Sequence, residues 1–441
     1  MQQSDFITGL ISFINSSPTS FHAIASARKH LEANAFIRLS ETEPWNIKAP
    51  GKYFITRNDS SLIAFTLAEN EPAASGFRIV GAHTDSPGLK IKPSPLRKNH
   101  GCVKVGVEVY GSPILNGWFD RNLSIAGRVT YLENNGTLHL KLIDFQRPVA
   151  VIPSLAIHLA KNSTAKPNEI NKETELAPLL MQSPGDDAPD FSILLLEQLK
   201  KEYDTVHSDN IIDHELFFYD VQSACLSGIS QEFITGARLD NLISCYTATL
   251  ALCHGTGQGN GMIILSDHEE VGSTSTSGAR GSFFRDTMER LLPNSEQRLC
   301  CTAKSFLISA DNAHALHPNY PDKYDHAHAP LLNNGPAIKL NADQRYATNS
   351  LTASFFRFLC KHAGVPVQHF VMRSDMGCGS TVGPLISANS GIKTVDVGVP
   401  SLAMHSIREM VGCNDAWYLY EVCKKFFELE ADRSEWTSIS K

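Results

Sequence analysis

The sequence predicts an α/β chain: a mixed-sheet domain with helices on both faces, interrupted by an inserted β-rich domain. Three observations carry that prediction. Short apolar runs at 77–80, 261–265, 305–310 and 394–399 have the length and composition of buried strands, and they alternate with segments whose apolar residues keep helical spacing. From residue 93 to 231 the pattern shifts to period two, as in Val103-Lys104-Val105-Gly106-Val107-Glu108-Val109, which marks antiparallel strands with one wet face. The 441 residues, 42% of them hydrophobic, supply apolar material for two or three cores. Residues 1–92 and 232–441 are therefore expected to form one discontinuous domain, with 93–231 inserted into it.

Each element follows from its local pattern. Phe6, Ile7, Leu10, Ile11 and Ile14 keep helical spacing, so a helix is expected over 4–15. Ser16-Ser17-Pro18-Thr19-Ser20 punctuates before a second helix that runs to about Glu32. Strands are expected at 53–55, 62–65 and 77–80. In the insert, the alternation at 103–110 and 137–142 gives strands, residues 161–190 are polar enough to read as a long mobile loop, a helix covers 191–203, and a strand follows at 216–219. Beyond it, Leu239, Leu242, Ile243, Tyr246 and Leu250 set a helix that opens at Asp240. A long helix is expected over 345–362, a strand over 368–372, a glycine-rich helix start at Ser374-Asp375-Met376-Gly377, a last strand at 394–399 and a closing helix over 416–430.

Composition excludes several classes of function. A net charge of -7 gives no nucleic-acid signature. No apolar run approaches the ~20 residues that span a bilayer, and the first residues lack a basic region followed by an apolar stretch, so neither membrane span nor signal peptide is expected. The ten cysteines are scattered and none forms C-x-x-C. In a chain this long they read as free thiols of a reducing compartment, hence a cytoplasmic protein. The glycine-rich stretch at 374–381 lacks the lysine of a phosphate-binding loop, and no G-x-S-x-G marks a serine hydrolase.

Chemistry collects at the ends of the strand-like runs. The run at 261–265 leads into Ser266-Asp267-His268-Glu269-Glu270-Val271-Gly272. Adjacent carboxylates repel and are costly to bury unless a cation or proton neutralises them. Neighbouring side chains also point apart, so one can bind a metal while the other handles a proton. The run at 77–80 leads into Gly81-Ala82-His83-Thr84-Asp85, where Asp85 can accept the His83 ring N–H, fix its tautomer and raise the basicity of the other nitrogen. Asp240 opens a helix, where a first-turn Asp is ordinary but its oxygens could also bridge cations. Asp311 ends the run at 305–310, and His405 follows the run at 394–399. Two histidines and several carboxylates at strand ends suit a pair of divalent cations such as zinc, with one glutamate left over as a base. His326 and His328 lie in a polar stretch and carry little weight. His158, within the apolar stretch 152–159, reads on these grounds as a core histidine.

Taken together, Gly81–Pro87, 152–159, 238–242, 267–272, 309–320, 374–383 and Met404-His405-Ser406 resemble the aspartyl aminopeptidase family of cocatalytic two-zinc metallopeptidases, in the family's order and over nearly the whole chain. The resemblance implies that His83, Asp240, Glu270, Asp311 and His405 hold two zinc ions, Asp240 bridging them. It makes Glu269 the general base that activates a metal-bridging water, and Asp85 the residue that orients His83. It reverses the core reading of His158, which becomes a site histidine that the insert presents to a neighbouring subunit, with a place among the metal ligands as its alternative. It further implies a cis peptide at Asp240-Asn241, an insert that makes dimer contacts, and a homododecamer. The implied substrates are peptides with N-terminal Asp or Glu, whose side chain requires a fixed cation, for which Lys339 is the candidate. The alternative activity is removal of acyl groups from small N-acyl amino acids.

Overall fold

The computed structural model describes residues 1–69, 72–133, 135–160, 170–183, 190–255 and 259–429. The chain divides into two units, one of Met1–Asp85, Ala224–Met404 and Glu409–Lys441, the other of Ser86–Ser223 with His405–Arg408.

Four parallel strands stand at the centre of the first unit: Asn260–Ser266, Phe77–His83, Phe306–Ala310 and Lys393–Gly398, adjacent in that order. Antiparallel Ser61–Leu67 and Gly51–Arg57 extend one side, with Ile37–Arg38 at the edge, while Ala337–Leu340 and Gln368–Val371 extend the other, so the nine-stranded sheet is mixed. Alternation along the strands explains why both faces are covered. Val80, Ile263, Leu265 and Ile308 pack with Leu10, Leu31, Tyr246, Phe356 and Phe426 from one set of helices. Ile79, Met262, Ile264 and Leu307 turn the other way, towards Phe283, Met288, Cys301 and Ile386. Strands buried on both faces must read as continuous apolar runs, which is the pattern of this sequence.

A second, five-stranded sheet in the same unit runs Cys225–Ser227, Phe233–Gly236, Glu409–Gly412, Pro400–Leu402, Ala313–His314. Its strand Phe233–Gly236 feeds the helix Leu239–His254, and Ala313–His314 follows directly on Asp311. This small sheet thereby fixes the backbone shortly before Asp240 and directly after Asp311.

The other unit holds a six-stranded antiparallel sheet in the order Leu138–Asp144, Leu123–Leu132, Ile211–Asp220, Gly88–Asn99, Cys102–Tyr110, Leu179–Gln182. The helix Phe191–Glu202 lays Leu195 and Leu199 against Ile125, Val105 and Leu216. The unit starts at Ser86 because the strand Gly88–Asn99 belongs wholly to this sheet. It ends at Ser223 because Cys225–Ser227 pairs instead with Phe233–Gly236.

Four local expectations are corrected. The loop expected over 161–190 contains the strand Leu179–Gln182, which pairs with Cys102–Tyr110 and is anchored by the buried Leu176; residues 161–169 and 184–189 lie outside the described residues. The helix expected from 345 begins at Ser350, because Asn349 and Thr352 form a reciprocal capping box. Residues 374–381 do not open a helix: the helix is Val382–Ser390. The apolar stretch around His158 is not core: Leu155, Ile157 and Leu159 are 62%, 68% and 67% exposed, and His158 between them is exposed. Among the described residues no helix is long and apolar enough to cross a membrane.

Candidate metal centre

The register of the central strands decides which side chains meet. Ser266 pairs with His83 and Ser309 with Gly81, so the carboxyl ends of three strands are level. Beyond these ends, where open α/β sheets place their sites, lie His83, Glu269 and Glu270, and Asp311. The helix Leu239–His254 brings Asp240 to them. At its start the backbone departs from helical angles at Asp240 and Asn241, and the bond between them is cis.

His83 is the hub. Its Nε2 lies 3.5 Å from Asp240 Oδ1 and 3.5 Å from Asp311 Oδ1. Ligand atoms of His83, Asp240 and Asp311 lie within 4.8 Å of one another, and so do those of His83, Glu269 and Glu270. The other ring nitrogen, Nδ1, stands 3.0 Å from the backbone carbonyl oxygen of Asp85 and 3.5 Å from its carboxylate. The carbonyl thus makes the nearer contact, and the carboxylate has a further task. Its Oδ1 accepts the amide N–H of Glu269 at 3.0 Å and its Oδ2 that of Glu270 at 3.1 Å. Asp85 therefore joins the histidine to the turn Glu269–Val271 that carries both glutamates.

Other buried groups hold the frame. Asn241 Nδ2 donates to the Ala310 carbonyl at 2.8 Å, tying Asp240's neighbour to the residue before Asp311. Cys245 Sγ donates to the His83 carbonyl at 2.9 Å. Glu409, 2% exposed, accepts the Asp240 amide at 2.9 Å. Sequence reasoning passed over Cys245 and Glu409, the latter because the four-residue strand it opens was not expected. Lys339 is 3% exposed, and its Nζ donates to Asp311 Oδ2 at 3.2 Å, below the ring of Tyr346.

Two predicted residues belong to the other unit. His158 lies on the short helix Ile157–Ala160 and is exposed. His405 opens the segment His405–Arg408, one peptide bond after Met404 of the first unit, with φ 66° and Nδ1 3.2 Å from the Ser112 carbonyl oxygen.

The electrostatics show what the cluster needs. Burial would lower the His83 pKa, yet Asp240, Asp311 and Asp85 outweigh it and raise it well above the ordinary value. Burial pushes the Glu269 carboxyl up to about 8; His83 opposes this, while the charges of Asp311, Glu270 and Asp85 add to it. Asp240, Glu269, Glu270 and Asp311 thus crowd four carboxylates around one imidazole, a set that cations among them would stabilise. Imidazole nitrogen and carboxylate oxygen are the donors zinc takes. The residues fit the metal.

Comparison with known proteins agrees with this chemistry. The family model described as aminopeptidase I zinc metalloprotease (M18) matches residues 13–427. A probable M18 family aminopeptidase 2 of Pseudomonas savastanoi pv. phaseolicola is 50% identical over 426 residues, 96% of this chain and 98% of its own. Among solved structures, the cryo-EM structure of the Ape4 and Nbr1 complex is similar with a TM-score of 0.93 and 38% identity, over 98% of this chain and 87% of that one. The S. cerevisiae mApe1 dodecamer is similar with a TM-score of 0.83 and 28% identity, over 96% of each chain. The chain belongs to the M18 family of zinc metallo-aminopeptidases.

Proposed function

We propose that this aminopeptidase removes N-terminal Asp or Glu from peptides, with Glu269 as general base. The observation that carries this reading is the meeting of His83, Asp240, Asp311, Glu269 and Glu270 at the carboxyl ends of the central strands, which leaves one glutamate of the adjacent pair for proton transfer. His83, Asp240, Glu270, Asp311 and His405 would hold the two zinc ions. When bound, zinc lowers the pKa of its water towards ~7 and polarises the scissile carbonyl. Glu269 takes the proton of the attacking water and delivers it to the leaving nitrogen. Asp85 fixes the direction of that carboxylate through the Glu269 amide.

Lys339 is the cation that reads the acidic side chain. Its ammonium is buried beside the cluster and already shared with Asp311, so a substrate carboxylate draws on a charge held in place. His158 acts from a neighbouring copy, where it steadies the tetrahedral intermediate. Its surroundings support this, because Leu155, Ile157 and Leu159 form an exposed apolar run of the kind that marks a contact surface. The insert makes the dimer contacts and the protein works in the cytoplasm; assembly into twelve copies is supported by likeness to the solved mApe1 dodecamer.

A panel of dipeptides and N-acyl amino acids tests the specificity. Turnover should be highest for free N-terminal Asp and Glu, and Lys339→Met should raise KM for these while sparing neutral residues. Faster turnover of N-acyl amino acids would favour the deacylase reading instead.

A further inference from the structure

We infer that Glu409 is a positioning residue for the metal centre: its carboxylate holds the backbone of Asp240 and so sets where the Asp240 side chain points. This inference rests on the assignment of Asp240 as a metal ligand.

The geometry is local. Glu409 begins the strand Glu409–Gly412 and pairs with Gly236, four residues before Asp240. Its side chain reaches forward so that Oε2 accepts the Asp240 N–H at 2.9 Å. Asp240 itself lies outside the helix that Leu239–His254 otherwise forms, with a φ of -82° and a ψ of 105°, so no intrahelical geometry sets its direction. On its far side Asn241 is fixed through Nδ2 to the Ala310 carbonyl. The two contacts clamp the aspartate from both directions, one to the small sheet and one to the central sheet.

The choice of a carboxylate also calls for an account. Glu409 is 2% exposed and stands beside a group of acidic residues, where another negative charge is unfavourable. A carboxylate at the start of a helix can serve simply as a cap for its N–H groups. Capping alone would affect the stability of the metal-free fold. Orientation of a ligand affects metal affinity, which falls about 10- to 100-fold when such supporting groups are lost.

Zinc affinity measured by competition with a chelating dye separates the two roles. The series is the wild type, Glu409→Ala, Glu409→Gln and Asp240→Ala, with folding checked by circular dichroism in excess chelator. Glu409→Ala should bind zinc about 10- to 100-fold more weakly. Glu409→Gln keeps an acceptor oxygen at the same reach and should restore most of that affinity. Unchanged affinity in Glu409→Ala, or a loss in Glu409→Gln as large as in Glu409→Ala, overturns the inference. If Glu409→Ala does not fold, Glu409→Asp decides. It is one methylene too short to reach the amide, so it should lose affinity, and wild-type affinity there overturns the inference. Asp240→Ala should lose zinc. Should it retain zinc, the assignment of Asp240 as a ligand fails and the inference falls with it; should it lose zinc while Glu409→Ala does not, only the inference fails.

Discussion

Replacing Asp85 by alanine tests how the catalytic turn is held. The Asp85 carboxylate is 4% exposed and accepts two backbone N–H groups, from Glu269 at 3.0 Å and Glu270 at 3.1 Å. Each donor left without a partner costs about 1–3 kcal/mol, so the turn Glu269–Val271 loses about 2–6 kcal/mol of restraint. Each ~1.4 kcal/mol that reaches the transition state is tenfold in rate. If about half does so, about 1–3 kcal/mol, kcat/KM falls about 5- to 150-fold. His83 keeps its contact with the Asp85 carbonyl oxygen, because that contact is to backbone and survives the substitution. The loss should therefore fall on kcat more than on zinc content. Asp85→Asn keeps one acceptor and should lie between the wild type and Asp85→Ala. The assay is steady-state hydrolysis of a chromogenic aspartyl amide with zinc quantified in the same samples. A kcat/KM within threefold of wild type in Asp85→Ala would refute the reasoning, and so would a loss that tracks zinc content alone.

Two other outcomes follow, the first from the role proposed for His158 and the second from the burial of His22. His158→Ala should fold, bind zinc and lose turnover by a factor corresponding to about 2.7–4 kcal/mol, the usual effect of removing one transition-state donor. Mixed with Glu269→Gln under conditions that exchange subunits, it should recover activity, and mixed oligomers without activity would place His158 outside any shared site. The His22 pKa is lowered to about 4, by burial first and then by Arg238 and Lys29. The unfolded chain therefore takes up a proton near pH 6.5 that the fold refuses, so stability is full above that pH and falls as pH drops towards about 4. The loss is about 1–3 kcal/mol. Denaturant unfolding in chelator at pH 7 and pH 5 should show a smaller drop for His22→Gln than for wild type, and equal drops would remove His22 as the cause.

The central sheet was legible because its strands are buried on both faces and leave uninterrupted runs such as Met262-Ile263-Ile264-Leu265. The residues that meet at its carboxyl end were legible for the same reason: each followed directly on such a run. From its local pattern Asp240 reads as a residue at a helix start, and the family resemblance made it the bridging ligand; the non-helical backbone that accompanies its meeting with His83 has no signal in periodicity. Lys339 was picked for its charge, but its burial against Asp311 could not be read from Ala337-Ile338-Lys339-Leu340 alone. His158 shows the opposite failure. Its apolar neighbours resemble core in sequence, yet Ile157 is 68% exposed, since an apolar run does not say whether its own chain or another molecule covers it. The strand Leu179–Gln182 was missed because four residues within a polar stretch carry too little pattern.

The most direct test of the division of labour at the adjacent glutamates is zinc content and turnover measured together on Glu269→Gln and Glu270→Gln. An amide cannot take the proton of the attacking water, so Glu269→Gln should keep its zinc and lose about 10²- to 10⁴-fold in kcat. Glu270→Gln removes a charged ligand and should lose zinc. A Glu269→Gln protein that is emptied of zinc, beside a Glu270→Gln protein that stays loaded, would contradict the account and exchange the two roles.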